Sequence, residues 1–320
     1  MKNDSVKVKE SKRSPWFHSL FTFRFFSDEL PKRSPLAVID SQAEIAEDVE
    51  IGPFCVIGAE VKIDSGCRLL NNVTVHGRTT IGKDNVFFPN SVIGAAPQDK
   101  KYKGSKTELV IGSRNIFREA STVHAGTETG GGITKIGDDG LYMVNAHVGH
   151  DSQIGDHVVF GNNVMIAGHV KCEDYAWLSG GAGVHHFVTL GRNSFVAGYA
   201  RIHHDVPPFC KVDIAGRVRV LNKTGLERSL CFSAEDIAAL SEATRNLFSK
   251  RKLFAVAMAE YEGADGINAN VTQLIEFLRR RDAAPHGRHL EGLRIKPGTN
   301  TQASARVDAT AATVLQTVEK

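Results

Sequence analysis

The large apolar residues of this chain recur every six positions. From Ile39 the steps land on Ile45, Ile51, Ile57, Ile63, Leu69, Val75, Ile81, Phe87 and Ile93. The same phase returns at Ile111, Phe117 and Val123. A second unbroken run starts at Ile136 and passes Tyr142, Val148, Ile154, Phe160, Ile166, Cys172, Leu178, Val184, Leu190 and Val196 to reach Ile202. Six is neither a helical period nor the plain two-residue alternation of a strand. It fits short strands joined by tight turns, each turn returning one large side chain to an interior line. Glycines follow the apolar residue at Gly52, Gly58, Gly82, Gly112, Gly137, Gly155, Gly161 and Gly191. They suit positions where a side chain would crowd or φ must be positive. The pattern predicts a mainly β protein, a parallel β-helix whose coils hydrogen-bond about 4.8 Å apart.

Two stretches interrupt the repeat. Residues 94–110, "GAAPQDKKYKGSKTELV", return in phase without the pattern, and residues 124–135, "HAGTETGGGITK", return one residue out of phase. Loops on a rigid scaffold are favoured places for function. After "DVPPF" at 205–209 the hexads stop. A helix is predicted over 233–249 with Ser233 as N-cap, followed by helices near 252–262 and 269–281. The expected organisation is an N-terminal extension over 1–35, predicted disordered, and a β-helix over 36–209. A linker and small helical domain follow over 210–281, and 282–320 form a tail rich in Ala, Thr, Gly and Arg, also predicted disordered.

Composition narrows the classes. The chain has 320 residues and a formal net charge of +3, so nothing demands a nucleic-acid partner. The five cysteines form no C-x-x-C pair, which fits free thiols in a reducing compartment. No apolar run reaches the roughly 18 residues of a membrane span. The nearest, "WFHSLFTFRFF" at 16–26, is broken by His18 and Arg24. The lack of an unbroken apolar stretch argues against a secretory signal, and the acidic residues before residue 35 argue mildly against an organellar targeting peptide. A cytoplasmic protein is expected, with an organelle as the alternative.

The chemistry gathers around "YMVNAHVGHDSQIG" at 142–155. If three hexads close one coil, residues 18 apart stack. His150 then lies beside Gly168, His186 and His204, Asp151 beside His169, and His185 beside His203. Two functional readings follow. Three histidines on neighbouring subunits of a β-helix could hold zinc, as in a metal-dependent hydratase resembling gamma-class carbonic anhydrases. Alternatively, a neutral imidazole removes a proton from a hydroxyl while a carboxylate orients it.

The motifs "MVNAHVGHD", "NNVMIAGHV", "GVHHF", "HDVPPF" and "PQDKKYKG", in this order, closely resemble the acyl-carrier-protein–UDP-N-acetylglucosamine O-acyltransferases that begin lipid A synthesis. The similarity runs from Leu36 to Arg281. The resemblance implies a triangular, left-handed winding, although sequence physics alone favours right-handed crossovers. It implies a homotrimer with active sites in the clefts between subunits. It assigns His150 as general base, Asp151 as its orienting acid, and the Gly168 N–H as oxyanion donor. His147, His169 and His185 would bind the sugar nucleotide. Gln98, Asp99 and Lys101 would come from the loop of the neighbouring subunit. Gly198 would leave room for the acyl chain, and Asn222 and Arg228 would approach the diphosphate and uracil. His186 stands where glutamine is common. No metal and no cofactor is implied, since the acyl donor rides on the phosphopantetheine of acyl carrier protein. Residues 201–223 carry a basic excess that suits this acidic partner. A related N-acyltransferase is the nearest rival within this class.

Overall fold

The computed structural model describes residues 32–229, 231–248, 252–261 and 266–294. Three sheets of nine, eight and ten strands, parallel except for the last strand of the third, run its length. Each strand is mostly two residues long and pairs with the strand one coil away. Val148 lies opposite Ile166, Ile154 opposite Cys172, and Phe160 opposite Leu178, all 18 residues apart. The winding is left-handed. The hexad residues point inward and form one continuous core from Val49 to Val212. Within it Phe87, Phe117 and Tyr142 stack almost face to face, with centroids 4.9 and 4.6 Å apart.

The two interruptions are loops inserted between pairing strands. Ile93 pairs with Val123, a spacing of 30 that adds two hexads. Val123 pairs with Val148, a spacing of 25 that adds seven residues and moves the phase by one.

The glycines and the left-handed turn positions turn out to be separate devices. A Cβ on Gly112, Gly137 or Gly161 would meet backbone of the next coil at 2.6 to 2.8 Å, and none of these glycines has a positive φ. They are glycines because the coils are close. The positive φ falls instead on the corners, at residues such as Asn72, Asp84, Asn145 and Asn163. Asparagine and aspartate tolerate this region better than other side chains. Aspartates also tie coils together, as where the Asp138 N–H donates to Asp156 Oδ1 and the Asp156 N–H to Asp174 Oδ1.

The β-helix extends beyond the expected end at Phe209. Val206 bridges to Leu190, and Cys210–Val212 adds a parallel strand before a hairpin brings Val218–Leu221 back antiparallel. Hexads vanish here because the strand is reached through Pro207 and Pro208 rather than through a regular turn. The helices are α1 (Lys223–Ser229), α2 (Ala234–Phe248), α3 (Phe254–Ala259) and α4 (Ala269–Ala283). They pack around Phe209, Leu226, Leu240, Leu274 and Leu278. Ser233 caps α2 as expected: its Oγ accepts from the Asp236 N–H at 3.0 Å, and Asp236 Oδ2 accepts from the Ser233 N–H at 2.9 Å.

A second correction concerns the tail. Order does not end at Arg281. α4 runs to Ala283, and two 3-10 turns follow at Pro285–Gly287 and His289–Leu293. Buried Asp205 holds this segment, accepting from the His289 N–H at 2.9 Å and lying 2.8 Å from its Nδ1, while the Arg288 guanidinium donates to the His203 carbonyl at 2.6 Å. Composition could not reveal this anchor, because its partners lie more than eighty residues upstream. At the other end, Lys32–Ser34 already belong to the edge of the ten-stranded sheet, where Arg33 bridges Ile51. Residues 1–31 and 295–320 lie outside the described residues.

The aromatic stack makes the middle of the core the costliest place to open. Phe117→Ala should destabilise the fold by about 3–5 kcal/mol. Guanidinium denaturation checks this, and a loss below about 1 kcal/mol would show that the stack carries little stability.

Candidate functional site

The strands His147–Val148 and Gln153–Ile154 belong to the first and second sheets, and the corner between them carries His150 and Asp151. Asp151, His169 and Phe187 occupy the same corner of successive coils, all with left-handed φ values of 59°, 62° and 64°. His169 and Phe187 stack in parallel at 4.5 Å. The period-18 stacking therefore holds where the chemistry lies.

His150 and Asp151 are buried, 6 % and 5 % exposed. His150 Nδ1 lies 2.7 Å from Asp151 Oδ2. With Nδ1 as donor, Nε2 keeps its lone pair. Asp151 is fixed from the second loop: Oδ1 accepts from the Thr127 N–H at 2.8 Å and Oδ2 from Thr127 Oγ1 at 2.6 Å. The Asp151 N–H donates to Thr134 Oγ1 at 2.8 Å. Gly130 packs so tightly that an added Cβ would lie 2.1 Å from the carboxylate carbon. The loop thus builds a socket for one carboxylate.

Gly168 lies against the imidazole. A Cβ there would sit 2.4 Å from His150 Cε1 and 2.6 Å from Nε2, so only glycine fits. The neighbouring Ala167 and His169 N–H groups donate to Val184 and His150 carbonyls. The Gly168 N–H has no partner among the described residues and remains available.

The other histidines surround this pair. His169 crosses His150 edge-on at 5.0 Å, and the His186 ring is 6.4 Å from it. His185 approaches His186 and His203 at 5.6 and 5.7 Å. His147 projects from the first sheet with its Nδ1 2.8 Å from Thr122 Oγ1, and buried His124 meets its edge at 4.9 Å. Burial pushes His124 down to about 4, helped by His147 and His150. Burial likewise lowers His169 to about 4, with Asp151 opposing and His150 and His186 reinforcing the shift. His147 and His186 also fall below the usual imidazole range, again chiefly through burial. These four rings stay neutral near pH 7.

Gln98 and Lys101 are exposed on the first loop and Asp99 is half-buried. The Lys101 N–H donates to Asp99 Oδ1 at 2.9 Å. Among the charges acting on His169, that of Asp99 is a minor one that pulls its pKa upward, against the larger lowering by burial.

Three expected residues lie elsewhere. Gly198 occupies the corner between the third and first sheets, where an added Cβ would be 3.3 Å from the Gly180 carbonyl. Asn222 is buried, its Nδ2 donating to the Asn193 carbonyl at 2.9 Å and its Oδ1 accepting from the Gly225 N–H at 3.3 Å. It locks the start of α1 onto the corner between the second and third sheets, so its amide is already used. Arg228 is exposed in the last turn of α1. Within one chain these residues do not join the histidine strip. The basic stretch is partly neutralised, since Asp213 Oδ2 pairs with Arg217 and Arg219 at 3.2 and 2.9 Å. Thr127, Thr134, Gly130 and His124 escaped sequence reasoning. The only signal was their place in a glycine-rich interruption just ahead of the histidines.

His150, Asp151 and His169 bring three donor atoms within 4.8 Å of one another. The carboxylate oxygen that would bind a cation already accepts from Thr127 and faces His150 Nδ1. The donor set fits a hydrogen-bonded histidine–carboxylate pair better than a zinc site.

A coil of hexads with such a pair in one corner defines a hexapeptide-repeat acyltransferase, and a model described as bacterial transferase hexapeptide matches residues 42–77. A second model, described as domain 2 of UDP-N-acetylglucosamine O-acyltransferase, matches residues 205–289. Acyl-[acyl-carrier-protein]–UDP-N-acetylglucosamine O-acyltransferase of Stenotrophomonas maltophilia strain K279a is 42% identical over 80% of this chain and 98% of its own length. The enzyme of that name from Xylella fastidiosa is 40% identical over 76% and 93%. A crystal structure of the UDP-N-acetylglucosamine acyltransferase of Francisella novicida superposes with a TM-score of 0.73 at 34% identity, covering 77% of this chain and 90% of that one. The chain belongs to the acyl-carrier-protein–UDP-N-acetylglucosamine O-acyltransferase family.

The lowered imidazoles have a consequence for stability. In the unfolded chain they take protons below about pH 6.5, whereas folded His124 and His169 resist until about 4. The unfolded state then binds more protons, so stability is constant above about pH 6.5 and falls as pH drops from there toward 4. The urea midpoint measured at pH 7 and pH 5 should fall, and His124→Gln should show a smaller fall. Equal slopes in both proteins would contradict the assignment to His124.

Proposed function

We propose that this chain transfers a 3-hydroxyacyl group from acyl carrier protein to the 3-hydroxyl of UDP-N-acetylglucosamine, the first step of lipid A synthesis. The observation that carries the reading is the buried His150–Asp151 pair, 2.7 Å apart, with Gly168 against its ring. His150 Nδ1–H donates to Asp151, so Nε2 is the base. It takes the proton of the sugar hydroxyl as the oxygen attacks the thioester carbonyl. A C–O bond forms, and the developing oxyanion is met by the Gly168 N–H. The tetrahedral species then collapses, the C–S bond breaks, and the imidazolium returns its proton to the phosphopantetheine sulfur. Asp151 stabilises the transient cation and stays ionised. The chain needs no cofactor or metal of its own for these steps.

His147, His169 and His185 line the strip as hydrogen-bonding groups for the sugar nucleotide, with Gln98, Asp99 and Lys101 supplied by the loop of a neighbouring subunit. The acyl chain would run across the first sheet toward the corner of Gly198. Asn222 and Arg228 serve the nucleotide only if a second subunit brings its helical end to the cleft, which suits a homotrimer. A cytoplasmic reaction suits this reading, with an organelle as the alternative. No helix among the described residues is long and apolar enough to cross a membrane.

His150→Ala should keep the coil folded by circular dichroism and lower turnover at least about 100-fold, the smaller end of general-base catalysis. Near-normal turnover with a 3-hydroxyacyl carrier would refute the role. Asp99→Ala should chiefly weaken UDP-N-acetylglucosamine binding, read by calorimetry, and unchanged affinity would remove Asp99 from the site.

A further inference from the structure

The outer face of the ten-stranded sheet changes character along its length. Its outward row runs Glu50, Arg68, Val86, Ile116, Leu141 and Val159 from coil to coil. The edge is polar, with Arg68 paired to Glu50 at 3.1 Å. The next strands present Val86 and Ile116, flanked by Leu70 and Phe88, and these four form an apolar cluster separate from the interior core. The Arg118 guanidinium lies over the Phe88 ring at 4.4 Å. Side chains on the outside of a single-layer coil should be wet. Ile116 is 1 % exposed, Leu70 3 % and Val86 5 %. The helices do not account for this, because α2 packs at the opposite end of the sheet, against Val218–Leu221.

We propose that residues 16–26 of this same chain, "WFHSLFTFRFF", cover this face. The segment holds five of the 17 phenylalanines and one of the two tryptophans. So large an apolar surface is unfavourable in water, and an apolar sheet face is its natural complement. Chain geometry brings the two together. The described chain begins on this sheet, with the Lys32 carbonyl accepting from the Ile51 N–H and Arg33 bridging Ile51. From there to the Ile116 strand is four strand spacings, about 19 Å. The six residue steps from Phe26 to Lys32 span about 20 Å when extended. The covered face lies opposite the corner of His150 and Asp151, so the segment can stay in place during turnover.

The test is limited trypsin digestion of the full chain, following cleavage after Arg24 and after Arg13 by mass spectrometry. Arg24 should be cut at least about tenfold more slowly than Arg13, because cleavage needs the segment to open. Ile116→Glu, an outward substitution, should abolish that difference. Phe21→Asp with Phe25→Asp, which leaves the coil untouched, should do the same and raise binding of an apolar dye. Equal cutting of both sites in the unaltered chain would overturn the proposal. So would protection that survives Ile116→Glu, or protection lost on dilution, which would mean that a second copy supplies the cover.

Discussion

Everything here depends on the backbone returning to the same place every 18 residues at one strand spacing. That return pairs the hydrogen-bonding groups of each coil with the next and stacks like positions upon like positions. It also leaves almost no room between adjacent turns, which explains the crowded glycines, and it requires corners that many side chains dislike. Asparagine and aspartate fill many of these corners. Where histidine and phenylalanine do so instead, at 169 and 187, their rings stack and recover part of the strain.

Against this rigid background the site is built by departures from the repeat. The seven-residue insertion supplies Thr127, whose hydroxyl and N–H hold both oxygens of Asp151. A carboxylate so held orients one tautomer of His150 without needing a cation. The surrounding imidazoles are desolvated and shifted toward neutrality, so they offer hydrogen bonds to a polar substrate without repelling the imidazolium that forms during reaction.

The ends of the coil face a different problem. A solenoid exposes its last turn and its outer faces, and neither is closed by the repeat itself. At the carboxyl end, buried Asp205 accepts from the Thr189 N–H and anchors His289, so a carboxylate that elsewhere orients a catalytic group here secures a terminal segment.

Much of this was legible in the chain. The hexads gave the interior line, and stacking by 18 gathered His150, Gly168 and His186 before any coordinate was known, because covalent spacing and a fixed rise leave one register. Helix α2 and its Ser233 cap were legible for a similar local reason. What spacing could not reach were contacts made by loops and ends. Thr127 against Asp151, Asn222 used internally at α1, and residues 282–294 folded onto Asp205 all join segments whose separation follows no period. A repeating backbone fixes the position of every residue in the ladder from sequence alone. Where an inserted loop or a terminus comes to rest depends on closing a long, flexible connection, and only packing in three dimensions decides that.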